Sequence, residues 1–516
     1  MKKWYLLQMQ LPIKILLIKS ERINNKMNLK SILQGIEGIK AKGEIDREVT
    51  SIENDSRAVK EGSMFFAIKG FTTDGGKYIP QAIEQGAKVI LVEDTFDFRS
   101  VNWPADVTII AVPNARYAMA ICACNYYGNP SRKFKLIGVT GTKGKTTSTF
   151  MAKEILQKAG IKTGLIGTIA VYSGDRKIMD SDRTTPESIE LQKLFAEMAN
   201  DGCQAVIMEV SSQSLKLDRV AGCDFDFGVF TNFSEDHISP KEHPDMQDYF
   251  NSKLKLFSMC KRGYVNADDI QVAKVPKLVP NCDIKTYGID NYCNLLAKDI
   301  TITNSYVDFK VKVGDKNERI KVDIPGRFSV YNSLVAIAIA NEFGVKVESI
   351  KEALENIKVP GRSELVNNSK ELVIMIDYAH SPESLQSILQ AVKSYTRGRV
   401  ISVFGCGGDR DATKRPKMGE ISGRIADYTI ITSDNPRTEN PQAIVDEIEE
   451  GIKKTNGKYE VIVNRVEAIK KAISMAGKRD LILLAGKGHE PYQEINGVKH
   501  PFDERIIVNQ ILKGEL

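Results

Sequence analysis

A chain of 516 residues is too long for one hydrophobic core and suggests about three domains. Its apolar and charged fractions, 42% and 27%, are those of a globular protein, which excludes a disordered or fibrous chain. The net charge of +6 does not mark a nucleic-acid binder. Six basic residues against Glu21 within residues 1–26 account for nearly all of it, and the rest is close to neutral.

Residues 1–26 are unusual. The apolar run 11–18 is broken by Lys14, is too short to span a bilayer and lacks a small-residue cleavage site. We read it as a dispensable leader before Met27, with a membrane-surface segment as the alternative. No stable membrane insertion and no nucleic-acid partner are expected. Eight scattered cysteines form no CxxC pair, which suits reduced thiols and a cytoplasmic setting.

From Met27 to Ser131 short strands (64–68, 89–92, 107–112) alternate with helices (79–85, 116–127), giving a small α/β domain. A second domain, 132–360, opens on the strand 134–139 and the stretch Gly141-Thr142-Lys143-Gly144-Lys145-Thr146-Thr147. Strand, glycine loop and helix form a cradle of backbone N–H groups for phosphate at a helix N-terminus. Lys145 is placed to reach the outer phosphates and the Thr146 hydroxyl to hold Mg²⁺. The glycine of the longer Walker pattern is Val139 here, so the loop is a shortened form and common P-loop motors and GTPases are disfavoured.

Thr184-Thr185-Pro186-Glu187 reads as a helix start with Pro near the first position, or as a simple cap. The strand 205–210 carries Glu209 near its carboxyl end, where a Mg²⁺-binding acid sits in P-loop folds. Ser211-Ser212-Gln213 and Arg219 follow. The strand 227–231 runs into Asp236-His237, which suit a second metal or phosphate position. Lys253, on the helical stretch 249–257, reads by composition as a solvated lysine. Residues 300–325 read as a hairpin turned at Gly314-Asp315, followed by an alanine-rich helix, 333–343. The stretch 359–364 looks like a hinge. From 361 onward five apolar strands end in polar loops. Ligands bind outside strand carboxyl ends in such open sheets, so these loops point to a cleft.

Taken together, GTKGKTT, TTPE, MEVSS, TNFSEDH, the YxxxKxxLF helix, VPGRSE, DYAHSP, FGCGGDRDATKRP, DNPR and GKGHE resemble the Mur ligases, and among them the members that add the third peptide residue. The resemblance runs from about Met27 to the C-terminus. It implies an α/β fold of three domains: a UDP-binding domain at 27–131, a central P-loop ATPase domain with a parallel sheet, and a Rossmann-like amino-acid-binding domain at 361–516. The implied reaction uses ATP to convert the γ-carboxylate of D-Glu in UDP-MurNAc-L-Ala-D-Glu into an acyl phosphate, which an amine then attacks. The resemblance implies two Mg²⁺ ions held by Thr146, Glu209 and His237, and a CO₂-derived carbamate on Lys253 that turns this cation into an oxygen ligand. Lys145, Lys253, His237 and Glu209 would carry the chemistry. Asn332, Arg362, Asp377 and His380 would join residues 141–147 around ATP. Ser56, Phe71, Thr72, Thr73, Thr184, Thr185, Ser211 and Arg219 would hold the UDP-linked dipeptide.

Arg410, Asp434, Asn435, Pro436, Arg437, Gly486 and Glu490 would bind the incoming amino acid. Arg437 implies meso-diaminopimelate, because a guanidinium can grip its distal carboxylate bidentately. Lysine is the alternative. Gln213 departs from the family's usual histidine, which puts an acid–base role there in doubt. A monomer is expected. Two rival readings are a different ligase on the same scaffold (a later Mur ligase or a folylpolyglutamate synthetase), against which the DNPR and GCGGDRD loops speak, and a P-loop protein with a regulatory ATPase.

Overall fold

The computed structural model describes residues 26–70, 73–239, 242–366 and 372–516. Residues 1–25 of the expected leader 1–26 and the expected ligands Phe71 and Thr72 lie outside them. The chain divides into a unit that ends at Tyr126 and a second, Tyr127–Leu516.

The first unit is built on a five-stranded sheet. Its strands are β1 (Lys40–Lys42), β2 (Ile52–Glu53), β3 (Met64–Phe66), β4 (Val89–Glu93) and β5 (Thr108–Val112), in the order β1-β5-β4-β3-β2. β1 is antiparallel to β5 and the other neighbours are parallel. The buried runs of β4 and β5 are apolar on both faces, as a parallel strand requires, and α1 (Ile79–Glu84) and α2 (Ala115–Tyr126) match the helices read from the sequence.

The second unit holds two large sheets. The first starts with β6 (Lys135–Thr140), α3 (Lys145–Lys158), β7 (Thr163–Ile166), β8 (Ala170–Ser173) and β9 (Arg176–Asp180). It continues with α4 (Ser188–Asn200), β10 (Ala205–Glu209), α5 (Ser212–Lys216), β11 (Phe225–Phe230) and α6 (Met246–Ser258), and closes with β12 (Cys260–Asn266), β13 (Asp283–Gly288) and β14 (Leu295–Leu296). The strand order is β9-β8-β7-β10-β6-β11-β12-β13-β14. β7, β10, β6, β11, β12, β13 and β14 run parallel, so the carboxyl ends of β6, β10 and β11 open on one edge. One face packs under α3 and the other under α4 and α6.

The hairpin is present. β16 (Val307–Val313) pairs antiparallel with β17 (Lys316–Val322), turning at Gly314-Asp315, with β15 (Lys298–Ile302) alongside. The following helix, α7 (Arg327–Glu342), begins six residues before the alanine-rich run that announced it, so Asn332 is helical. Gly326, at φ +98°, makes the sharp entry. α8 (Val347–Glu355) leads to the segment 359–364.

The last sheet is made of β18 (Glu364–Leu365), β19 (Val373–Asp377), β20 (Val400–Phe404), β21 (Tyr428–Ile431), β22 (Tyr459–Val461) and β23 (Leu481–Ala485), in the order β18-β19-β23-β20-β21-β22. All but β18 are parallel, so the five polar loops read from the sequence do share an edge. Helices α9 (Pro382–Tyr395), α10 (Lys414–Ile425) and α11 (Pro441–Ile452) cover one face, and α12 (Arg465–Met475) and α13 (Glu504–Lys513) the other.

Candidate active site

The loop after β6 is shaped by its glycines. Gly141 has φ +140° and Gly144 φ +83°, and a Cβ would drive into Thr231 Oγ1 at the first and Asn332 Oδ1 at the second. Thr142 N–H donates to Asn232 O and Lys143 N–H to Asn232 Oδ1, both at 2.9 Å, so the segment after β11 fixes the loop. α3 then starts at Lys145 with no side-chain cap, which leaves its first N–H groups for an anion.

Two lysines converge on this loop. Lys145 Nζ donates to Gly141 O at 2.8 Å and Thr142 O at 3.0 Å; Lys253 Nζ donates to the same Gly141 oxygen at 2.9 Å. Lys253 is only 1% exposed, and its ammonium lies 4.5 Å from the centre of the Tyr249 ring. The expectation of a solvated lysine is therefore wrong. α6 is amphipathic, and at this position its inner face meets the P-loop. Burial, then the nearby charge of Lys145, push the Lys253 amine well below the usual lysine range. Burial also lowers Lys145.

Glu209 closes the other side. Its carboxylate, 1% exposed, accepts from Thr146 Oγ1 at 3.0 Å, from the Thr168 N–H at 2.8 Å and from Thr168 Oγ1 at 3.2 Å. Thr146 and Glu209 thus offer facing oxygens from two chain segments, a donor set that suits Mg²⁺. Thr168 was missed in the sequence; it follows β7 with no motif to mark it. Its hydroxyl lies 3.2 Å from Thr184 Oγ1. Thr185 Oγ1 donates to Glu209 O at 2.9 Å and accepts from Ser211 N–H at 3.1 Å, and Arg219 Nη1 donates to Thr185 O at 3.2 Å. Thr184, Thr185, Ser211 and Arg219 are therefore gathered beside Glu209. One detail differs: α4 begins at Ser188, so Pro186 lies outside it, and Glu187 at the cap pairs with Arg219 at 2.9 Å.

His237 is placed differently from the metal role expected of it. It has φ +58°, its side chain is 49% exposed, and its Nδ1 meets Glu242 Oε2 at 3.1 Å. Among the described residues no direct contact joins it to Glu209, Thr146 or Lys253, and no three His, Cys, Asp or Glu side chains form a group that could hold a metal. The buried imidazole here is His243. Its Nδ1 lies 2.6 Å from Asp248 Oδ2 and its Nε2 2.9 Å from Ser212 Oγ, tying α5, next to Gln213, to α6. Nothing in its local sequence set it apart from an ordinary loop histidine.

The C-terminal sheet contributes a second cluster. Asp377, at the end of β19, accepts from Ser363 N–H at 2.7 Å and Ala379 N–H at 2.9 Å, and burial raises its carboxyl. Arg362 stacks on Tyr378 at 4.6 Å. His380 Nδ1 lies 2.7 Å from Tyr378 O, and burial lowers this imidazole. Asn332 Oδ1 accepts from Ser148 Oγ at 3.3 Å. Lys143 Nζ crosses from the P-loop to α9, donating to Ser387 Oγ at 2.8 Å and Glu383 O at 3.0 Å.

Farther along this edge, Asn435 Nδ2 donates to Glu490 Oε2 at 2.8 Å, and Asn435 Oδ1 accepts from Lys487 Nζ at 3.0 Å. Burial, then the charge of Asp434, raise the Glu490 carboxyl. Gly486 has φ +112°, and a Cβ there would strike Asp434 Oδ2. Arg437, after Pro436, adopts φ +52°; its Nη1 donates to Gly408 O at 2.7 Å and its Nε lies 3.3 Å from Glu494 Oε2. Arg410 is exposed at the rim. The sequence reading missed Lys487, fully buried inside a glycine pair, and the buried Arg465–Glu504 ion pair at 2.8 Å.

In the first unit, Ser56 Oγ donates to Gln81 Oε1 at 2.8 Å, and Thr73 O accepts from Gly70 N–H at 2.8 Å.

The chain is similar to known proteins along most of its length. Residues 48–127 match the Mur ligase family catalytic domain, 139–340 the Mur ligase middle domain and 361–488 the Mur ligase glutamate ligase domain. A UDP-N-acetylmuramoyl-L-alanyl-D-glutamate–2,6-diaminopimelate ligase from Caldanaerobacter subterraneus subsp. tengcongensis is 47% identical over 94% of this chain and 99% of its own. One of the same name from Clostridium botulinum is 46% identical over 94% of this chain and all of its own. A solved structure of a ligase of that name superposes with a TM-score of 0.67 at 27% identity, covering 95% of this chain and 99% of the other. The MurF ligase of Thermotoga maritima in complex with ADP shares the fold, with a TM-score of 0.58 at 18% identity over 90% of this chain and 98% of its own. On its three matched domains and its near full-length relatives, the chain belongs to the Mur ligase family.

Proposed function

We propose that this protein joins meso-diaminopimelate to the D-Glu γ-carboxylate of UDP-MurNAc-L-Ala-D-Glu, using ATP and releasing ADP and phosphate, in peptidoglycan precursor synthesis. The observation that carries the reading is the meeting of Lys145, Lys253, Thr146 and Glu209 at one loop. The relatives' names supply the substrates.

A carboxylate is a poor electrophile, and phosphorylation gives it a leaving group. Two anions must meet for that step, so cations are required. Lys145 and the N-terminus of α3 hold the phosphates, and Arg219, above Thr185, holds the substrate's negative charge. Thr146 and Glu209 would hold Mg²⁺, which when bound would supply charge neutralisation for phosphoryl transfer. Lys253 is buried, and its depressed basicity favours the free amine that can react with CO₂. As a carbamate it would add an oxygen ligand for a second cation, which His237 would help to hold. Asp434 and Glu490 outnumber Lys487, which leaves one negative charge for the distal ammonium of the amino acid. Arg437 takes the distal carboxylate in competition with Glu494. All eight cysteines are buried free thiols, which suits a cytoplasmic enzyme.

ADP release with UDP-MurNAc-L-Ala-D-Glu and Mg²⁺, adding meso-diaminopimelate or L-lysine in parallel, tests this. Release only with diaminopimelate is expected. Release with lysine instead removes the role given to Arg437, and release indifferent to any amine returns the chain to a regulatory ATPase.

A further inference from the structure

His489 stands where three parts of the site converge. A Cβ on Gly361 would collide with the His489 backbone nitrogen, so the segment before Arg362 lies directly against it. Its ring centre is 5.0 Å from that of Tyr378, the ring on which Arg362 stacks at 4.6 Å. Glu490, the proposed ammonium partner, is the next residue. His489 Nδ1 is buried and, among the described residues, has no hydrogen-bond partner. A buried ring nitrogen left without a partner costs stability unless something else meets it during function.

We propose that His489 Nδ1 accepts the proton shed by the attacking amine. With the ring proton on Nε2, Nδ1 keeps a lone pair that no group among the described residues uses. The free amine attacks the acyl-phosphate carbonyl carbon and the C–N bond forms. The C–O bond to the phosphoryl group breaks, with its electron pair leaving on phosphate. The nitrogen's proton passes to Nδ1 and then to the departing phosphate, which leaves as hydrogen phosphate. Burial, then the charges of Arg362 and Arg505, hold this imidazole down to about 4; Asp180 opposes them and Lys177 adds to them. The ring is therefore neutral at working pH, and an imidazolium formed there gives its proton up quickly.

The proposal rests on the ligase reading, and the test separates the two. Hydroxylamine, largely unprotonated at neutral pH, traps acyl phosphates as hydroxamate without needing a base. In the wild-type protein with ATP, Mg²⁺ and UDP-MurNAc-L-Ala-D-Glu, absence of hydroxamate would remove the ligase reading itself. In H489A and H489Q, amide formation with diaminopimelate is expected to fall about 100-fold in kcat, while hydroxamate formation stays within about twofold. Raising the pH should recover part of the amide rate. Equal loss of both products, unchanged amide formation, or full rescue by H489Q (whose amide can accept a hydrogen bond but not a proton) would each overturn the proposal.

Discussion

At the residue scale the site depends on where charge is buried. Among the described residues Lys253 has one carbonyl acceptor and one aromatic face, and no carboxylate in contact. Such an ammonium is costly, whereas its carbamate beside Lys145 is not. K253A is therefore expected to lose about 100-fold or more in kcat, with partial recovery on adding short-chain carboxylic acids; full activity without them would remove the carbamate. Glu490 gives a pH signature. Its carboxyl is raised by burial and by Asp434, so on acidification it takes up a proton earlier than an ordinary carboxylate and releases the ammonium. KM for diaminopimelate should rise as pH falls through that raised value, while KM for ATP stays flat. E490Q should show a high KM with no such slope. R437M should cost diaminopimelate about 10- to 1000-fold in kcat/KM and leave lysine nearly unaffected; equal losses for both would return the specificity to another group.

At the element scale, strand ends and helix starts set the geometry. α3 can approach phosphate only because Gly141 and Gly144 lie in backbone regions that other residues avoid. G141A should abolish ATP binding, measured by a fluorescent nucleotide, while leaving the far-UV circular dichroism unchanged. In the C-terminal sheet, Arg465 opens α12 and reaches Ala485 O at 2.9 Å and Ser433 O at 3.4 Å, the carbonyls just before Gly486 and Asp434. Glu504, in the first turn of α13, balances its charge. Both side chains are buried, so R465M, which leaves Glu504 unpaired, should cost about 3–5 kcal/mol in urea unfolding. A loss within experimental error would mean that water reaches Glu504.

At the scale of the whole second unit, Lys143 links the ATP loop to α9 of the C-terminal sheet. A nucleotide that draws on Lys143 must break this link. S387A, which removes one acceptor, should lower KM for ATP about threefold to tenfold, the net worth of one solvent-exposed hydrogen bond; an unchanged KM would show that the link does not compete with nucleotide. The sequence by itself determined the strands, because parallel strands buried on both faces must be continuous apolar runs, and it determined the P-loop, because glycine, lysine and threonine at fixed spacing have few other uses. It put Glu209 at the carboxyl end of its strand, where the carboxylate meets Thr146 and Thr168. It could not decide Lys253, His243, Thr168 or His489. A lysine on an amphipathic helix, a loop histidine and a threonine after a strand have the same local sequence whether they face solvent or a ligand. Only the packing of α6 against β6, and of the segment 359–364 against the loop after β23, decides which of them lose water, and the loss of water gives those residues their chemistry.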